Sequence, residues 1–252
     1  MRFNLVSELS KYRLIEEMSE LDHYIRMDSL FDKERLPAVL SHIGERIGSP
    51  SHKVTASIIT KRIAFYGVIH LFAMSVWNKR FKVELEEIKL IEKANDNLWL
   101  PDFYFGHYQL EDVTSERNQW VDQVMNELFS GFFHPLIETL RNVTRFSKLV
   151  MWENISLYIF WLYESLLSDE SYRDIYPRLR KDFQYIIHDA SSELFGPYKN
   201  NPLSHFDSEK KVRIDSSEPI RIRKTCCLSN LLDGKEKKRC STCPNGCDMP
   251  PF

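Results

Sequence analysis

The sequence predicts a mainly α-helical fold with a small antiparallel β element and a short, C-terminal, cysteine-rich, metal-binding tail. Three observations predict it. Two long stretches, Lys53 to Asn78 and Leu149 to Leu167, carry apolar residues at helical spacing. From Phe81 to Glu86 apolar and charged residues alternate, which is the period of a strand. All five cysteines, Cys226, Cys227, Cys240, Cys243 and Cys247, lie within one run of 22 residues, after 225 residues that contain none. Cysteines used for packing would be scattered through the core, so this confinement points to a shared sulfur chemistry. The expected division is a helical domain over residues 1–200, then a linker and metal-binding segment over residues 201–252.

Taken in order, residues 1–30 mix Leu, Ile and Met with charges, and their spacing predicts one amphipathic helix over Tyr12–Arg26. Leu36, Val39, Leu40, Ile43 and Ile47 predict a helix over Glu34–Ile47, which Gly48 and then Pro50 would stop. Lys53 to Asn78 is apolar nearly all round, as befits a helix at the centre of a domain. Its uncharged run, Ile63 to Asn78, is 16 residues, short for a membrane span. Lys61 and Arg62 interrupt the apolar character. They either snorkel to the surface or face a substrate cleft as anion-binding cations. The strand-like alternation near Phe81, a turn at Ala94-Asn95-Asp96-Asn97 and the aromatic run Leu98 to Phe105 predict the antiparallel element.

Helices return after Thr114. Trp120, Val121, Val124, Met125, Leu128 and Phe129 share one face, and Pro135 suits the first turn of the next helix, which runs to about Phe146. The aromatic-rich helix Leu149–Leu167 contains a polar pair, Glu153 and Asn154. In an apolar setting this reads as a satisfied, buried hydrogen-bonding pair. Pro177 opens a last long helix through Leu194, stopped by Gly196-Pro197. Pro197 to Ser208 reads as a linker, and Lys211–Ile214 and Pro219–Ile222 as short edge strands leading to the cysteines.

Composition narrows the function. Hydrophobic content of 43%, with 13% aromatics, suffices for one substantial core. A net charge of −2 gives no argument for a nucleic-acid partner. The N-terminus carries no signal-peptide pattern, and with reduced thiols this predicts a cytoplasmic protein. Nucleotide-binding glycine motifs, a phosphate loop, His-Glu-x-x-His and Gly-x-Ser-x-Gly are all missing. The eight histidines are dispersed and form no ligand pair, so acid–base chemistry has no evident site.

The cysteines allow three chemistries. A disulfide framework is disfavoured in a chain large enough to bury a core. Cys240-Ser-Thr-Cys243 has the spacing of a structural zinc site, which a second pair would complete. An iron–sulfur cluster also takes four thiolates. The vicinal pair Cys226-Cys227 must bend its backbone to meet one ion, whereas a two-iron centre is wider; geometry leaves both metals open. A thiol redox switch is a further, weaker reading, since neighbouring thiols more readily capture metal. The tail is also basic: Arg221, Arg223, Lys224, Lys235, Lys237, Lys238 and Arg239 stand against Asp233 and Glu236. That run is either a solvated loop or a device that eases reduction of an anionic centre and draws in an anionic substrate.

The run Arg-Lys-Thr-Cys226-Cys227, followed by Cys240-x-x-Cys243-Pro, resembles the C-terminal signature of the FhuF-like ferric-siderophore reductases. Their pattern is Cys-Cys-x10-Cys-x2-Cys. Here the loop is two residues longer, a tolerable surface insertion, and Cys247 is an addition. Upstream, Ser57 to Arg62 with Ala73 to Lys79 is similar to the family's first long helix. Trp152-Glu153-Asn154 with Trp161-Leu-Tyr163 is similar to its second, so the resemblance spans roughly residues 50–247.

The resemblance implies a [2Fe–2S] cluster held by Cys226, Cys227, Cys240 and Cys243. It implies one-electron reduction of siderophore-bound Fe(III), releasing Fe(II), with electrons from an external donor such as a ferredoxin. On charge, Lys61, Arg62, Arg221, Arg223 and Lys224 are candidates for binding the ferric siderophore. The competing expectation is a zinc-stapled helical binding module without catalysis.

Overall fold

The computed structural model describes residues 8–93, 98–114, 116–212, 219–233 and 239–246. Cys247, the turn at residues 94–97 and the lysines at 235, 237 and 238 lie outside them. The fold is mainly α. Helix α1 spans Leu36–Arg46, α2 His52–Phe72, α3 Arg117–Leu128, α4 His134–Thr144, α5 Lys148–Ser168 and α6 Tyr176–Gln184. Proline stands in the first turn of α1, α4 and α6, where its missing N–H costs nothing.

The two longest helices, α2 and α5, pack along each other and form the spine of the core. Ala56, Ile59, Ile63 and Leu71 of α2 and Ile155, Ile159, Leu162 and Tyr163 of α5 are all buried in one continuous cluster. By length and composition His52–Trp77 could cross a membrane, but 83% of its most apolar window is buried inside this structure, as in a core helix. Three helices end in a wide π turn: α2 at Ala73–Trp77, α3 at Phe129–Phe133 and α6 at Tyr185–Asp189. Such turns leave carbonyls to satisfy. At the end of α2, Arg178 supplies the donors, Nε to Ser75 O at 2.8 Å and Nη2 to Val76 O at 2.7 Å.

Strands β1 (Leu14–Ile15), β2 (His23–Arg26), β4 (Ile88–Glu92) and β5 (Asp102–Phe105) form one sheet in the order β1-β5-β4-β2. Strands β3 (Lys79–Val83) and β6 (Tyr108–Asp112) form a separate antiparallel pair. The expected antiparallel element is therefore present but divided, and it gains a parallel β1–β5 pair.

The amphipathic helix expected over Tyr12–Arg26 is absent; that stretch holds β1, β2 and the left-handed Arg13, with φ of 72°. Distant partners decide it. Phe103 N donates to Arg13 O at 2.7 Å, and the Arg13 side chain donates to Leu100 O at 2.7 Å and Asp102 Oδ1 at 3.2 Å. A local apolar period cannot register a partner so far along the chain.

The last helix also differs from expectation. It stops at Asp189 with Ala190 extended, and a separate 3₁₀ turn covers Ser192–Phe195. Asn201 Nδ2 donates to Ile186 O at 2.8 Å and Ile187 O at 3.2 Å, occupying carbonyls that a longer helix would use. The stretch read as a linker lies against the core, with Asn201, Leu203 and Phe206 buried. Of the expected edge strands, one antiparallel bridge joins Lys211 and Ile220; residues 213–218 are outside the described set.

At Gly48, which ends α1, φ is +59° and an added Cβ would lie 2.4 Å from Asp233 Cβ. Only glycine meets both demands, and Asp233 N donates to Gly48 O at 3.0 Å, tying the tail to α1.

An ion pair with a buried carboxylate joins α3 to α6. Arg117 meets Asp182 through two hydrogen bonds of 2.7 and 2.6 Å, and its Nε donates to Asn78 Oδ1 at 2.8 Å. Asp182 is fully covered, so removing it leaves a guanidinium without its counter-charge. Asp182→Ala should cost about 3 kcal/mol in urea unfolding. A loss below about 1 kcal/mol would show the pair to behave as a solvated surface bridge.

Candidate metal centre

The centre is built where the tail crosses the α2–α5 spine. Ser57, Thr60 and Lys61 share one face of α2, being three and four residues apart. Glu153 and Asn154 project towards them from α5. Asn154 Nδ2 donates to Ser57 O at 3.0 Å, Ser57 Oγ at 3.1 Å and Thr60 Oγ1 at 3.1 Å. Its Oδ1 accepts from Arg223 Nη2 at 2.7 Å.

Glu153 is 1% exposed and works as a clamp on the tail. Its carboxylate accepts from Arg223 Nη2 at 3.3 Å, from Thr225 N at 2.9 Å, and from Lys224 N and Thr225 Oγ1. Arg223 in turn donates from Nε to Thr225 O at 3.0 Å, and its backbone N–H to Thr242 O at 2.9 Å. Ser57 Oγ donates to Cys227 O at 2.7 Å. Both cysteine-bearing segments are thus hung on two helices through one buried carboxylate and one buried guanidinium.

The thiols face one another in two pairs. Cys227 Sγ lies 3.9 Å from Cys240 Sγ. Cys226 neighbours the thiol of Cys243. Leu228, next along the chain, is left-handed with φ of 60°. The second segment closes in tight turns, Cys243 N to Cys240 O at 3.0 Å and Gly246 N to Cys243 O at 3.3 Å. Cys227 and Cys243 are buried; Cys226 and Cys240 are partly open.

Lys61 Nζ donates to Cys227 Sγ at 3.0 Å, and Ser229 Oγ lies 3.3 Å from the same sulfur. The Cys227 thiol is held down, first by the S–H of Cys240 and then by the Lys61 charge, against the opposing effect of burial. Cys240 is pushed up correspondingly, since it keeps the proton it shares, and burial raises Cys226. A sulfur so readily deprotonated is in the form that binds metal.

The donor set fits a two-metal centre. Two thiolates on one tetrahedral metal, with metal–sulfur bonds of about 2.3 Å, stand about 3.8 Å apart. The Cys227–Cys240 separation matches this. Among the described residues no three Cys, His, Asp or Glu side chains converge on a single ion position. A pair of irons takes its thiolates in twos.

Two family models match the chain: the ferric iron reductase FhuF-like transporter family over residues 69–211, and the FhuF 2Fe-2S C-terminal domain over residues 223–244. The chain belongs to the FhuF-like ferric iron reductase family. This FhuF-like reductase carries a [2Fe–2S] cofactor and is an oxidoreductase acting on ferric siderophore. No curated protein matches it. The matched stretches include the helix carrying Glu153 and Asn154 and all four described cysteines. Ser57 to Arg62, where resemblance was also expected, lies before them.

The cations proposed from sequence have separate fates. Lys61 and Arg223 are at the cysteines. Arg62 turns away and donates to Trp99 O at 3.2 Å and Leu98 O at 3.3 Å. Arg221 is bound to Asp207, Ser208 O and Glu164 and lies 4.5 Å from the centre of the Phe160 ring. Lys224 is exposed. Sequence reading recognised Glu153 and Asn154 as a buried polar pair but not as the anchor of the tail, which no local pattern announces. It also missed a cleft of about 280 Å³ beside Cys240, walled by Phe65, Leu157, Tyr158 and Trp161 with Lys61 at its edge. Their helical spacing looks the same as that of core residues.

Glu153→Ala should unfold about 3 kcal/mol more easily, because it strands the buried Arg223, and should open the Thr225–Cys227 stretch to protease. Wild-type stability together with wild-type protease resistance would show that the clamp does not hold the tail.

Proposed function

We propose that this reductase works in the cytoplasm as a one-electron carrier to siderophore-bound Fe(III), with Cys226, Cys227, Cys240 and Cys243 as its cluster ligands. The facing of Cys227 and Cys240, with Cys226 beside Cys243 and Lys61 on the Cys227 sulfur, is the observation that carries the reading. Residues 1–200 serve as the helical scaffold, and residues 201–252 as the segment that holds the cluster. A reducing compartment suits a protein whose described cysteines are all free thiols.

When bound, the cluster supplies one electron at a time, received from an external donor such as a ferredoxin. The chain's own residues hold and tune. Lys61 offers a positive hydrogen bond to Cys227 Sγ, favouring the more negative, reduced state. Burial of Cys227 and Cys243 keeps water from two of the sulfurs, and partly open Cys240 faces the cleft. For the substrate, one electron is enough. Siderophores grip iron through hard oxygen donors, which hold Fe³⁺ far better than the larger, less charged Fe²⁺. The iron–oxygen coordination bonds loosen on reduction and no covalent bond of the siderophore is cleaved, so the electron transfer itself needs no acid–base pair.

Metal analysis of protein purified under argon should give about two irons and two acid-labile sulfides per chain. One tight zinc per chain from iron-replete cells would favour the non-catalytic zinc module instead. With a chemical reductant, a ferrous chelator should trap Fe²⁺ from a ferric siderophore.

Ligand assignment rests on serine substitution. Cys226→Ser, Cys227→Ser, Cys240→Ser or Cys243→Ser should each bleach or distort the visible spectrum, whereas Cys247→Ser should leave it intact. A bleached Cys247→Ser protein beside an unchanged vicinal mutant would break this ligand set. Lys61→Met, which keeps the stem and removes the charge, should lower the reduction potential by roughly 60 mV, equivalent to about 1.4 kcal/mol for one electron. An unchanged potential would show the Lys61 contact to be without electronic effect.

A further inference from the structure

We propose that Ser229 is a further residue that sets the potential of the centre: its hydroxyl joins the Lys61 ammonium on the sulfur of Cys227, and the two donors make the Cys227–Cys240 side the one that holds the added electron. The inference rests on the cluster reading above. Ser229 Oγ lies 3.3 Å from Cys227 Sγ, and Lys61 Nζ lies 3.0 Å from it. The backbone is shaped to bring this about. Leu228 is left-handed, with φ of 60°, a conformation unfavourable for a residue with a Cβ. The chain reverses there into a 3₁₀ turn over Ser229–Leu231, which sets the hydroxyl against a sulfur only two residues back. Leu231 N closes the turn on Leu228 O at 3.0 Å, and buried Leu232 anchors it. The turn itself packs on α2, the helix that carries Lys61. One piece of packing therefore places both donors.

A hydrogen bond donated to a thiolate strengthens as the sulfur becomes more negative, so it favours the reduced state of the metal that sulfur holds. The other sulfurs are served less closely. Cys240 has Thr242 Oγ1 at 3.8 Å, and Cys243 has Arg239 Nη1 at 3.8 Å. Cys226 meets the side-chain oxygen of Asn230, an acceptor, at 3.8 Å. These contacts are long even for sulfur, and Arg239 is exposed, where water and salt screen its charge. Cys227 is 1% exposed, so its two donors act where screening is weak. Extra negative charge is therefore best accommodated on the Cys227–Cys240 side. That side also opens to the cleft, since Cys240 is partly exposed and lines it. An electron held there has Cys240 as its way out to a substrate at the cleft.

Redox titration and proton NMR of the cluster-loaded chain test this. Ser229→Ala should shift the oxidised-to-reduced ratio at a fixed solution potential about fivefold towards the oxidised form, the worth of one hydrogen bond. Ser229→Thr, which keeps the hydroxyl, should stay close to the wild-type ratio. A role confined to supporting the turn would change stability and leave the ratio where it was. In the reduced wild-type protein, the shifted β-protons of Cys227 and Cys240 should show the temperature dependence of ligands to ferrous iron. Those of Cys226 and Cys243 should behave as ligands to ferric iron, with Cys227 assigned through Overhauser contacts to Ser229. An unmoved ratio in Ser229→Ala, an equal shift in Ser229→Thr, or the ferrous signature on Cys226 and Cys243 would each overturn the proposal. The NMR measurement needs no variant, so it decides the matter even if Ser229→Ala fails to take up iron. Wild-type protein without the visible spectrum of a [2Fe–2S] centre would instead sink the cluster reading beneath it.

Discussion

The buried carboxylate of Glu153 is the constraint on which the rest of the site depends. An ionised group removed from water is costly unless every lone pair finds a donor. Here the donors come from a guanidinium, two successive backbone N–H groups and a hydroxyl, all belonging to residues 223–225. Satisfying the carboxylate therefore fixes the backbone just before Cys226. Asn154 performs the complementary task, linking the same Arg223 to Ser57 and Thr60 on α2. A buried pair of this kind contributes less net stability than its Coulomb attraction suggests. Its effect is to leave the tail one acceptable path.

That path explains why the cysteines can sit on loops and still be placed with precision. Loops suit ligands because they can bend around a metal, but their positions are poorly determined unless something rigid supports them. The support is the α2–α5 spine, continuous with the core. Ser57 fixes the Cys227 carbonyl, Lys61 approaches its sulfur, and both project from the same face of α2. A cation on a packed helix cannot drift away as one on a loop can. Gly48 gives a further point of attachment beyond the first cysteine pair, through Asp233.

The arrangement also bears on the choice between zinc and a two-iron cluster. Vicinal cysteines point their side chains apart, which hinders a single ion. In this structure one sulfur meets Cys240 and the other meets Cys243. The left-handed Leu228 next to the pair carries a modest strain, about 1 kcal/mol for a non-glycine residue, that the surrounding contacts must offset. Backbone strain of this sort gathers at sites with a task.

The sequence by itself determined the helical class, the centrality of the Lys53–Asn78 helix, the cysteine cluster and, through its spacing, the family. These are legible because they are local: helical period, cap residues and motif spacing are all read within a few turns of chain. Glu153 and Asn154 were legible as a polar pair, but not as the anchor of residues some 70 positions later. Only the tertiary structure decided that, because hydrogen-bond partners are fixed by how α5 meets the tail. The same holds for β1 and β2, whose apolar residues fit a helix until β5 and β4 supply strand partners. Lys61 and Arg62 make the point most directly. They are adjacent cations of equal promise in sequence, yet about 100° of helical turn separates them, and one reaches a sulfur while the other holds the backbone at Leu98 and Trp99.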